Sequence, residues 1–86
     1  MLDIVKLALR YNNSLFDDEL LMYIEACKKD LIHCGIDKSK IVDTDQTIQA
    51  TTIAYCKWML NYQGRGNDWQ KVYVGLKTSL CLDSRY

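Results

Sequence analysis

No proline falls anywhere in this 86-residue chain, and its longer segments repeat apolar residues every third or fourth position. That spacing builds one apolar stripe along a helix. Nothing forces a break inside the helices it defines. The clearest stripe is Leu20, Ile24, Cys27, Leu31 and Cys34, with steps of four, three, four and three. Glu25, Lys28, Lys29 and Asp30 line its other side and Leu21 widens it. Asp17-Asp18-Glu19 opens this segment and Gly35 closes it, so a helix is predicted over Asp17–Cys34.

Three further helices follow from the same reasoning. Leu2, Val5 and Leu9 share a face, which predicts a short helix over Leu2–Arg10. Tyr11-Asn12-Asn13-Ser14 is turn-prone and ends it. Ile36–Asp43 reads as a connection whose Ile36, Ile41 and Val42 tuck onto the core, with a short strand as the alternative. Ile48, Thr52, Tyr55, Met59 and Tyr62 form a stripe from Thr44 or Asp45 to Tyr62, capped by Asp43 or Thr44. Ala50, Ile53 and Ala54 widen it, which places this helix centrally. Gln63–Asn67 is a loop in which Gly64 ends the third helix and Gly66 supplies a turn. The last helix is expected over Asp68–Leu82, with Asp68 as its cap and Trp69, Val72, Tyr73, Leu76 and Leu80 as its buried face. Asp83–Tyr86 is expected to fray. The predicted fold is therefore a single all-α domain, a small bundle of about four helices spanning residues 1–86.

Charge and cysteine content narrow the function classes. Lys and Arg total 11, as do Asp and Glu, so the chain lacks the basic excess that tight DNA binding draws on. Lys28-Lys29 and Lys38/Lys40 form small basic clusters, diluted by Asp30, Asp37 and Asp43. They read as a solvated face, with weak DNA contact as the alternative. No apolar run approaches the length of a membrane helix. Met1–Leu9 is too short for a secretion signal, and Asp3 interrupts its start. The chain is therefore expected in the cytosol, with Cys27, Cys34, Cys56 and Cys81 as reduced thiols behaving as small buried hydrophobes. Cys27 and Cys34 lie two turns apart on one face, about 10 Å, too far for a disulfide.

Each candidate site reduces to a local structural role. Zinc would need close ligand pairs, and none is present among the cysteines and His33. His33, the only histidine, has no flanking nucleophile motif and reads as solvated near a helix end. The acidic run Asp17-Asp18-Glu19 suits a first helical turn. Gln63-Gly64-Arg65-Gly66 lacks the phosphate-loop pattern. No catalytic, cofactor or metal residue is assigned. Aromatic side chains are in surplus: two Trp, six Tyr and one Phe. Aromatics are enriched at protein interfaces. Tyr11, Phe16, Tyr23, Trp58 and Tyr86 lie off or beside the seams. With Arg65 at a loop tip, they are the candidate interface residues.

The order of these residues resembles the small head–tail connector (head-completion or adaptor) proteins of long-tailed bacteriophages and prophages, also called DNA-packaging proteins. The likeness runs from Met1-Leu2-Asp3 and Leu9-Arg10 through Asp17-Asp18-Glu19-Leu20, Ile24, Ala26, Asp30-Leu31 and Gly35-Ile36. It continues with Ile48, Ala54-Tyr55, Lys57, Tyr62 and Gly64, and ends on Tyr73, Leu76-Lys77 and Leu80. Loop Gln63–Asn67 departs from it, being less acidic than the family's. The resemblance implies a structural, non-enzymatic subunit without cofactor. It further implies a homo-oligomeric ring of about a dozen copies between the portal protein and tail-side connector proteins, made in the bacterial host cytoplasm and carried in the virion. The isolated chain is then expected to be monomeric or weakly associated. The competing reading is a small DNA-binding or packaging protein of helix-turn-helix type. Its recognition helix would have little beyond Gln46, Gln49 and Lys57 to offer DNA.

Overall fold

The apolar stripes become four helices in the computed structural model, which describes residues 1–86. They are α1 (Leu2–Leu9), α2 (Asp17–His33), α3 (Gln46–Met59) and α4 (Gly66–Leu82), with no strand. The all-α fold expected from the periodicity is what forms.

Local chemistry sets the helix ends. Arg10 takes a left-handed conformation (φ 60°) and stops α1. At the end of α2, Gly35 adopts φ 107°, and the Ile36 amide donates to the Leu31 carbonyl at 3.2 Å. This is a glycine-terminated cap that also turns Ile36 into the core. The connection then makes a short 3-10 turn, Lys38–Lys40, whose Asp37 side chain accepts from the Ser39 amide at 2.9 Å. Helix α3 is capped by Asp45 rather than by Asp43 or Thr44. Its carboxylate accepts from the amides of Thr47 and Ile48 at 2.8 and 3.1 Å, satisfying two of the unpaired first-turn donors.

The α3–α4 junction corrects the sequence reading. Helix α4 begins at Gly66, so Gly66 is a helical residue and not a turn residue. Asn61, itself left-handed (φ 49°), accepts from the Gly66 amide through its side chain at 2.8 Å. A Cβ on residue 66 would lie 2.7 Å from that same oxygen. Close approach demands glycine here, while Gly64 supplies the positive φ of the turn. Asp68, expected as the cap, sits inside the first turn of α4 and pairs with Arg65 at 2.9 Å.

Two apolar clusters form on different sides of α3. One joins Val5, Leu9, Leu20, Ile24 and Cys56, binding α1 and the first half of α2. The other joins Cys27, Leu31, Ile36, Ile48, Ala54, Tyr73 and Leu80, binding the second half of α2 to α4. Helix α3 touches α1, α2 and α4, so it is the central helix that its wide apolar arc predicted. Four residues expected on the apolar faces lie outside: Leu21, Val42, Ala50 and Val72 are all exposed. Leu21 sits about 100° round the helix from Leu20, beyond the reach of α3.

Between α2 and α4 the links are few and specific. The buried Tyr73 hydroxyl donates to Asp30, whose carboxylate also lies 3.0 Å from the Lys77 ammonium. Burial by itself would raise the Asp30 pKa; the Tyr73 hydroxyl and Lys77 outweigh it and hold it below the usual value. Cys34 and Cys81 form a disulfide with Cα atoms 6.1 Å apart across 47 residues. This corrects the expectation that all four cysteines are reduced, buried thiols. Cys27 and Cys56 are free and buried as expected, but Cys81 is exposed and Cys34 only half-buried. The segment expected to fray is also tied down. Tyr86 packs on the second cluster, and its hydroxyl donates to Asp45 at 2.6 Å. Its main-chain oxygen accepts from the Asp37 amide at 3.2 Å.

Truncating Leu31, fully buried between α2 and its neighbours, to alanine should cost roughly 2–5 kcal/mol in urea unfolding, because the site cannot collapse onto the gap. Tyr73→Phe should cost about 1–2 kcal/mol at pH 7, the loss of a hydrogen bond to a charged group. Because the folded Asp30 pKa is depressed, its stabilising share is present above the unfolded value and lost as pH falls through the folded one. The Tyr73→Phe deficit should therefore shrink below about pH 4, which urea titrations at pH 7 and pH 3 would read directly.

Candidate subunit interface

An exposed apolar corner forms where α1 turns into α2. The left-handed Arg10 lets the Arg10 and Tyr11 amides donate back to Leu7 and Lys6 at 3.2 and 3.0 Å. The Asn13 side chain then accepts from the Leu15 amide at 3.0 Å, a local turn that leaves Leu15 and Phe16 facing outward. Leu7 is 81% exposed and Leu15 78%. Tyr11 and Phe16 stack against one another at 5.2 Å. Beside them, the Lys6 ammonium lies 2.8 Å from Asp17 Oδ1 and supplies that oxygen's partner. That ion pair ties α1 to the start of α2.

The six sequence-predicted interface residues do not converge on one patch. Tyr11 and Phe16 belong to this corner. Tyr23 is half-buried against the first cluster and donates to Glu19 one turn earlier; that bond, aided by burial, pushes its pKa up to about 12. Trp58 sits in an aromatic group with Tyr55 and Tyr73, at centroid distances of 5.7 and 5.9 Å. It also lines an open groove of about 410 Å³ with Ala26, Lys29, Asp30, His33 and Tyr55. Arg65 is exposed beside Asp68, and Tyr86 is engaged with Asp45. Leu7 and Leu15 went unnoticed in the sequence. The signal for Leu7 was its place outside the Leu2–Val5–Leu9 face.

The basic clusters do come together. Lys28, Lys29 and Lys38 surround a second groove of about 330 Å³ floored by Ile32 and Ile41 and shared with Glu25. Lys40 is not part of it. Lys57 is drawn away from solvent, lying 4.3 Å over the Trp69 ring and 5.2 Å from that of Tyr62. Gln49 is likewise occupied, donating to the Asp43 carbonyl at 2.6 Å. His33 is exposed at the end of α2. No three His, Cys, Asp or Glu side chains gather closely enough to hold a metal ion. No helix is long and apolar enough to cross a membrane.

These features describe a helical scaffold with an exposed apolar corner and two open grooves. Searches of curated proteins and of solved structures returned no match. A family model described as "Phage connector protein" matches residues 1–85, nearly the entire chain. The chain therefore belongs to the phage connector protein family.

Proposed function

We propose that this chain is the repeating subunit of a ring at the head–tail junction of a phage or prophage particle, seated between the portal protein and tail-side connector proteins. The observation that carries the reading is the family match across residues 1–85. Family membership supports a structural role in a phage connector. The ring, its portal and tail neighbours, and its passage from host cytoplasm to virion are the finer reading.

The structure supports that reading in two ways. A ring subunit needs two different surfaces that meet on successive copies. The Leu7–Phe16 corner and the lysine-rimmed groove beside α2 are such a pair of unlike surfaces. The helix-turn-helix alternative is disfavoured by the position of α3. That helix packs against α1, α2 and α4, and of its three polar candidates Gln49 and Lys57 are already engaged, leaving only Gln46 exposed. A recognition helix has to lie free to enter a groove.

Native mass spectrometry of the chain with and without its cognate portal protein tests the proposal. The expected result is a monomer or weak oligomer alone and a closed ring on the portal. A chain that stays monomeric beside its portal overturns the reading. Leu15→Asp should lower portal-dependent assembly about tenfold while leaving the melting temperature within a few degrees, since Leu15 is largely exposed.

A further inference from the structure

The four cysteines fall into two chemical classes. Cys27 and Cys56 are fully buried, and burial pushes their thiols up to about 11 and about 12. Neither can present a thiolate to solvent. Cys34 and Cys81 close the ends of α2 and α4 and are bonded to each other. Cys81 is exposed, so small thiols and disulfides in solution reach its sulfur directly.

We propose that Cys34 and Cys81 form a reversible thiol–disulfide exchange site, whose substrates are low-molecular-weight disulfides and thiols of the glutathione class and whose closure locks the α4 end onto α2. In closing, the Cys81 thiolate attacks one sulfur of glutathione disulfide and expels glutathione thiolate. The Cys34 thiolate then attacks the Cys81 sulfur of the mixed disulfide and expels a second glutathione. The protein dithiol loses two electrons and two protons, and glutathione disulfide gains them as two thiols. Opening runs the same steps backwards with two glutathione molecules.

Three features make both states accessible to one fold. Cys81 belongs to neither apolar cluster and Cys34 only packs on the edge of the second, whose buried members do not include it, so the core persists when the bond opens. The tail stays moored by Asp37–Tyr86 and Tyr86–Asp45, and α4 by Tyr73–Asp30–Lys77. These tethers keep the two sulfurs neighbours in the reduced chain, so the second exchange step is intramolecular. The sealed Cys27 and Cys56 do not compete for the incoming disulfide. A chain made in a thiol-rich cytosol is then open, and it closes once the surroundings become oxidising. The bond spans 47 residues, and cross-links over such lengths constrain the unfolded chain strongly.

The test uses the full chain alone, with no portal present, so its outcome is independent of the connector reading. The reduced protein is equilibrated with glutathione disulfide, the remaining thiols are alkylated under denaturing conditions, and intact mass and peptide mapping count them. Two of the four thiols should disappear, with Cys34 linked to Cys81 and no lasting glutathione adduct. Excess reduced glutathione should restore all four without denaturant. The melting temperature should rise by about 10 °C or more on closure. Cys81→Ser should fold, since its site is exposed, and should show no dependence of melting temperature on redox state. The proposal falls if four thiols remain after oxidation. It also falls if reduced glutathione cannot open the bond in the native chain, or if Cys81→Ser keeps the redox dependence.

Discussion

The side of α3 that faces the other three helices has to satisfy its polar side chains without water, and it does so within the helix's own backbone. Thr51 and Thr52 are buried, yet their hydroxyls donate to the carbonyls of Thr47 and Ile48 one turn earlier, at 2.7 and 2.8 Å. Those bonds remove the desolvation cost that two buried hydroxyls would otherwise impose. Small side chains at Thr51, Thr52, Ala54 and Cys56 let neighbouring helices approach closely. Both apolar clusters draw members from α3. Without α3, α1 and α4 would each lose the helix on which most of their packing rests.

With α3 as an axle, the molecule has two halves that differ in how they are held. The α1 side closes on a mostly aliphatic cluster and two ion pairs, Lys6–Asp17 and the Met1 ammonium with Asp43. The α4 side adds aromatics, the Tyr73–Asp30–Lys77 knot and a covalent bond. A small domain buries a limited share of its surface, so such specific ties matter more here than in a larger protein. The same size limit leaves apolar side chains such as Leu7, Leu15 and Phe16 outside the core, available to a partner. Membership of the phage connector family gives those surfaces a natural use.

Much of the fold was legible because helices leave a period in the sequence. The α2 seam from Leu20 to Leu31, the Gly35 stop and the central position of α3 all follow from spacing and cap chemistry. Boundaries were less legible where neighbouring residues share the same chemistry. Asp43, Thr44 and Asp45 can each cap a helix, and only the path of the chain selects Asp45. Gly66 looked like a turn residue because glycine serves turns and close approaches alike. Its true reason, the Asn61 side chain, is a contact made by the fold. The interface candidates were chosen by position relative to each stripe, a one-helix argument. It found Tyr11 and Phe16, which meet at the corner, but it could not see that Tyr86 returns to Asp45.

The amino-acid sequence alone determined the all-α class, the order of the helices, the burial of α3 and, through residue order, the connector resemblance. Each of these is written in local periodicity or in the succession of residue types. Tertiary structure decided what distant segments do to one another. It brought the end of α2 to the end of α4, so that Cys34 met Cys81 across 47 residues. It left Leu15 and Phe16 facing solvent. Such outcomes depend on the angles at which helices pack, and no spacing within a single helix encodes those angles.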